Sequence, residues 1–185
     1  PWDYEASFYR EVLQGMAEGV KAADPSMLVF PCALQAIDSS AELGNYMNYA
    51  GARLLDTIAP YIDGLNVHYY SYYNDSVGTR RATYPENYVS YMRAILNDLR
   101  FRDANFPGKK MFVSEWGWDS DGAGESCTHN ECVSEAAQAI YGVRYAMMLS
   151  RLGVDEMTWF FYANTNNPSS LYTRSGLTGS SATSF

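Results

Sequence analysis

Glu115 is the residue best placed to do chemistry. It closes the run Lys110-Met111-Phe112-Val113-Ser114-Glu115 and is followed by Trp116-Gly117-Trp118-Asp119. A carboxylate at the end of an apolar strand, flanked by aromatics and with no basic partner close by, suits acid–base or nucleophilic work. A second set lies upstream in Asn66-Val67-His68-Tyr69-Tyr70-Ser71. Successive side chains of a strand alternate between its faces, so Asn66, His68 and Tyr70 share one. A phenol donating a hydrogen bond to Glu115 would fix the carboxylate's orientation and favour its charged form. The same alternation puts Met111, Val113 and Glu115 together on the face turned to the site. Two indoles are candidate platforms for a ring-shaped ligand such as a sugar. They are Trp118, in the glutamate's own run, and Trp159, in phase with Met157 and Phe161, for which a place in the core is the equal alternative.

Other chemistries find less support. There is no Gly-x-Ser-x-Gly elbow, no His-Glu-x-x-His pair and no glycine-rich phosphate loop after a strand. Asp119-Ser120-Asp121-Gly122 begins like a calcium loop, but its twelfth position is Asn130 where a bidentate glutamate is needed, so a solvated acidic loop is the better reading. No metal and no cofactor is expected.

The elements that must position these residues follow a repeating pattern. An amphipathic helix over about 6–23 carries Phe8, Val12, Leu13, Met16 and Val20 on one face, and Asp24-Pro25 stops it. The apolar stretch 27–34 follows as a strand. A second helix over about 45–58 leads to a strand at 64–70, and a third over about 85–102 leads to the strand at 110–115. A fourth over about 133–152, capped by Gly153, leads to a strand at 156–162. Strands apolar on both faces and separated by helices predict a parallel sheet covered by helices. The connections after the strands are long and rich in Tyr, Asn, Asp, Ser and Gly; those before them are short. That asymmetry belongs to a (β/α)₈ barrel, whose function sits at the carboxyl ends of its strands. An open parallel sheet binding a small acidic or nucleotide ligand is the rival.

Composition narrows the field. The chain has 185 residues, 47% hydrophobic and 18% charged, enough for one packed domain over 1–185. A net charge of −8 argues against a nucleic-acid partner. No apolar run approaches the ~20 residues of a membrane span. Aromatic residues make up 15%, with 16 Tyr and 4 Trp, which suits a surface that handles sugars. Of the three cysteines, Cys32 lies in an apolar run as a buried thiol. Cys127 and Cys132 flank a four-residue polar loop that a disulfide would close, with two free thiols, and then zinc through His129, as the poorer alternatives. A disulfide implies an oxidising compartment, hence a secreted or periplasmic protein.

The order of these signals, His68-x-Tyr70, then Ser114-Glu115-Trp116-Gly117, then Trp159 on the last strand, resembles the last three strands of clan A retaining glycoside hydrolases. The resemblance spans essentially the whole chain as barrel units four to eight. It implies Glu115 as nucleophile, His68 and Tyr70 as residues that line the subsite and orient it, and Trp159 as a sugar platform. The family's acid/base glutamate usually sits in Asn-Glu-Pro after strand four. No such motif is present, and Pro1 stands where its proline would fall, so the acid/base residue and the first half of the barrel are expected outside this chain. The function implied is hydrolysis of a β-linked poly- or oligosaccharide by double displacement. The alternative is a carbohydrate-binding relative that lost the catalytic pair.

Overall fold

A computed structural model describes residues 6–35, 59–87, 92–120, 131–164 and 174–177. The four parallel strands of the main sheet pair in chain order: β1 (Leu34–Gln35), β2 (Gly64–Tyr69), β5 (Lys110–Trp116) and β6 (Glu156–Trp159). Two of the described helices fill crossovers between them: α2 (Arg93–Asn105) before β5 and α3 (Glu135–Arg151) before β6. α1 (Ala6–Ala23) precedes β1. Consecutive parallel pairing with intervening helices is the stave-by-stave order of a barrel; a doubly wound sheet reverses its strand order at a switch point.

The strands pair so closely because of what they carry. A Cβ on Gly64 would lie 2.5 Å from the Lys110 carbonyl, so only glycine fits where β2 meets β5. One sheet face, formed by Leu65, Val67, Tyr69, Met111, Val113 and Trp116, joins Ala94, Ile95 and Leu99 of α2 and Tyr145 and Leu149 of α3 in a single apolar core. The Tyr69 hydroxyl enters this core and donates to the buried Asp98 carboxylate of α2 at 2.7 Å, which satisfies both polar groups. The ends of α3 follow simple rules. The Ser134 side chain caps its start by accepting from the Ala137 N–H at 3.1 Å, and Gly153 at φ +91° lets the chain leave.

Several elements differ from the sequence reading. The stretch 27–34 is a strand only at its end. Pro31 has no N–H to give a ladder, and the Val29 N–H goes to the Asp63 side chain at 2.7 Å. The face of α1 that buries is Leu13 with Ala17, while Phe8, Val12 and Met16 are exposed. The third helix begins later than expected because residues 84–87 form a turn, with the Asn87 N–H donating to the Tyr84 carbonyl. Cys32, expected to be buried, is exposed as a free thiol. The second predicted helix and Cys127 lie outside the described residues; Cys132 is buried. An unforeseen hairpin, β3 (Tyr72–Asn74) against β4 (Arg80–Ala82), rises directly after β2. Asp75 shapes its turn by accepting from the N–H groups of Val77 and Thr79, and Gly78 supplies the positive φ.

Candidate active site

The candidate residues converge at the carboxyl ends of β2 and β5. The Tyr70 hydroxyl donates to Oε2 of Glu115 at 2.9 Å, and His68 Nδ1 lies 3.4 Å from the same oxygen. The other imidazole nitrogen, Nε2, is 3.1 Å from the Ser114 hydroxyl oxygen. About a third of the His68 and Glu115 side chains is exposed, so the cluster stays open to a ligand while its inner atoms are fixed. Burial pushes the His68 pKa below its ordinary value of 6.5, and the Glu115 carboxylate opposes that shift only in part. That shift favours the neutral imidazole.

Glu115 reaches this cluster through an interruption of the strand, not through simple alternation. Leu65, Asn66 and Val67 pair with Met111, Phe112 and Val113, but His68 pairs with Glu115 and Tyr69 with Trp116. Ser114 is thus an extra residue, a β-bulge. The same slip recurs against β6, where Val113 pairs with Met157 but Trp116 with Trp159. A bulge turns two successive side chains to one side and resets the phase beyond it. Met111 and Val113 therefore face the helices, and Glu115 does not share their face as alternation predicts. Ser114 and Glu115 both turn to His68, and Trp116 returns to the core. Asn66 braces the bulge: its Oδ1 accepts from the Ser114 N–H at 3.2 Å and its Nδ2 donates to the Pro31 carbonyl at 3.2 Å.

The two indoles are placed elsewhere. Trp118 is 1% exposed, edge-on to Tyr141 and Tyr145 of α3, with its N–H donated to the Thr83 carbonyl at 2.9 Å. A side chain so enclosed offers no face to a sugar, which corrects its reading as a substrate platform. Trp159 does share a phase with Met157, but that phase faces the helices. Its ring packs edge-to-face on Trp116 at 4.8 Å and against Gly142 of α3, and its N–H donates to the Ser175 carbonyl at 2.6 Å. The structure therefore brings His68, Tyr70 and Glu115 together and leaves Trp118 and Trp159 behind the sheet. The sequence placed Asn66 beside His68 and Ser114 beside Glu115, but not the contacts they make, Ser114 to the imidazole and Asn66 to the bulge. The only signal they gave was a polar residue within an otherwise apolar run.

The cluster has a defined chemistry. Tyr70 and His68 converge on one oxygen of a carboxylate, lower its charge density there and leave Oε1 directed by them. A carboxylate held in this way can act as a nucleophile toward an electrophilic carbon through Oε1. Among the described residues no group of three or more His, Cys, Asp and Glu side chains could hold a metal. The loop at 121–130, with the calcium-like sequence, lies outside those residues.

Comparison with known proteins agrees at the level of fold. No protein-family model and no curated protein sequence matches the chain. Solved structures do. A glucosidase from Croceicoccus marinus superposes with a TM-score of 0.56 and 14% identity, covering 84% of this chain and 28% of its own. An active-site mutant of the β-1,3-glucanosyltransferase from Rhizomucor miehei, in complex with laminaritriose, gives 0.61 and 13% over 97% of this chain and 55% of its own. A family 39 glycoside hydrolase from Bacteroides cellulosilyticus gives 0.58 and 19% over 93% and 34%. The chain thus shares the fold of TIM-barrel glycosidases and spans from about a quarter to about half of the length of these three.

Proposed function

We propose that this chain is the second half, units four to eight, of the catalytic barrel of a retaining glycoside hydrolase acting on β-linked poly- or oligosaccharide. The observation that carries the reading is Glu115 at a strand end, held by the Tyr70 hydroxyl at 2.9 Å and faced by His68. The fold shared with glycosidases supports it. So do the bare apolar surfaces: Phe8, Val12 and Met16 on α1, and Ile140, Val143 and Met147 on α3, are exposed side chains that neighbouring barrel helices would cover. β1 and β6 are likewise edge strands that barrel closure would pair.

In this mechanism ionised Glu115 attacks the anomeric carbon as the glycosidic oxygen leaves with a proton from the acid/base carboxyl group, supplied by the other half of the barrel. Water, deprotonated by that same group, then displaces Glu115, and the product keeps its β configuration. Retaining chemistry places the two carboxyl groups about 5–5.5 Å apart. Tyr70 holds Glu115 in aim through its hydrogen bond, and His68 faces the same oxygen, the one that does not attack. We read Cys127 and Cys132 as a disulfide and the protein as secreted or periplasmic; a thiol titration of the unreduced protein should then find one free cysteine in this region, and three would refute the pairing.

The test of the activity is chemical rescue in the full-length protein. With Glu115→Ala, azide should restore part of the lost turnover by attacking the anomeric carbon directly and should yield the glycosyl azide of inverted configuration. A Glu115→Ala protein that still binds β-glycan, in a parent that never turned it over, would instead establish the non-catalytic sugar-binding alternative.

A further inference from the structure

We infer that Ser114 is a positioning residue whose hydroxyl, by donating to Nε2, holds His68 in the tautomer that the Glu115 carboxylate favours and so influences which oxygen of Glu115 is free to react. The inference deepens the glycosidase reading and rests on it for its catalytic consequence. A neutral imidazole carries one N–H. If that proton sat on Nε2, the Nδ1 lone pair would face the Glu115 carboxylate 3.4 Å away, lone pair against lone pair. With the proton on Nδ1 the same contact is attractive, and Nε2 becomes an acceptor in need of a donor. The Ser114 hydroxyl, 3.1 Å away, is that donor.

Ser114 stands there because of the bulge. Regular alternation would give His68 one opposing residue, whereas the extra residue sets Ser114 and Glu115 against it together. The serine is itself held by its N–H on Asn66 Oδ1, and Asn66 by its side-chain N–H on the Pro31 carbonyl. A line of hydrogen bonds thus runs from the Pro31 backbone through Asn66 and Ser114 to His68, whose Nδ1 lies 3.4 Å from Glu115 Oε2. With the proton on Nδ1, its end sets a second positive dipole, after the Tyr70 hydroxyl, against Oε2. Oε1 is left to form the bond to the anomeric carbon.

Nitrogen-15 NMR of histidine-labelled protein tests this without substrate, with the His68 signals assigned by their loss in His68→Gln. Wild type should show the proton on Nδ1 and an unprotonated Nε2. Ser114→Ala should give a mixture of tautomers, and Ser114→Thr, which keeps the hydroxyl, should restore the single form. A wild-type protein with the proton on Nε2 overturns the inference even if Ser114→Ala fails to fold. So does a folded Ser114→Ala protein with the wild-type tautomer. In turnover, Ser114→Ala should lower kcat roughly five- to tenfold at unchanged KM, the loss of one hydrogen bond acting through another group. An equal loss in Ser114→Thr would overturn the positioning role. Failure of the glycosidase reading itself would appear differently, as undiminished turnover in Glu115→Gln, while the imidazole signals stayed as stated.

Discussion

The two faces of β5 use neighbouring residues of one short segment for opposite ends. Toward the helices, Met111, Val113 and Trp116 pack with Tyr145, Trp118 and Trp159 into an interlocked aromatic core. Toward the other side, Ser114 and Glu115 meet His68 and Tyr70 in a half-exposed polar cluster. The indoles, which by residue type alone look most like sugar platforms, serve as scaffold. The difference teaches that aromatic content located near a strand-end carboxylate in sequence is no guide to which surface it lines. It also separates two kinds of variant, those that should abolish turnover without unfolding and those that should unfold.

The largest separation is expected from Glu115→Gln. In the full-length protein it should remove turnover by several orders of magnitude, because a covalent route disappears, while the thermal midpoint stays near wild type. Retained turnover on every β-glycan the parent degrades would break the assignment. Trp118→Ala should do the converse, costing about 3–5 kcal/mol in denaturant unfolding through the cavity it leaves in the core. An unchanged midpoint together with weakened glycan binding would restore Trp118 as a platform.

Smaller variants sharpen the boundary. Tyr70→Phe removes one hydrogen bond to a charged group and should lower kcat roughly 10- to 100-fold with little change in stability. Gly142→Ala probes the opposite side: its Cβ would come 2.9 Å from the Trp159 ring, so the indole must shift at a cost of about 1–3 kcal/mol. A stabilised Gly142→Ala would mean that Trp159 does not lean on α3. The smallest effect is on titration. The Glu115 charge raises the His68 pKa against the lowering by burial, so Glu115→Gln should move the imidazole pKa further down. A rise on removing the carboxylate would mean that the two groups do not face each other.

Much of the architecture was legible because it follows from local rules. α1, the strands at 64–69 and 110–116 and the Gly153 cap fall at or within a residue or two of where helix periodicity, apolar runs and turn residues put them. The shared face of Asn66, His68 and Tyr70 was legible for the same reason, since β2 is regular up to the bulge opposite it. The phase of β5 was not. Alternation assumes one residue per pleat, and the extra residue at Ser114 is defined only by the partners on β2 and β6. Nor could the sequence say which face of a strand apolar on both sides meets the helices, and that choice decided Trp159. The hairpin after β2 was hidden in a polar stretch whose pairing depends on Asp75 folding over its own turn.

The sequence by itself therefore determined the parallel helix-and-strand order, the strand-end position of Glu115 and the company of His68 and Tyr70. Each is set by residue type and spacing along the chain. Only the tertiary structure decided that Glu115 turns to that company while Trp116, Trp118 and Trp159 turn away. Facing is a property of paired strands: a single unpaired residue on β5, stabilised by the Asn66 side chain and the Pro31 carbonyl, reverses it for everything that follows.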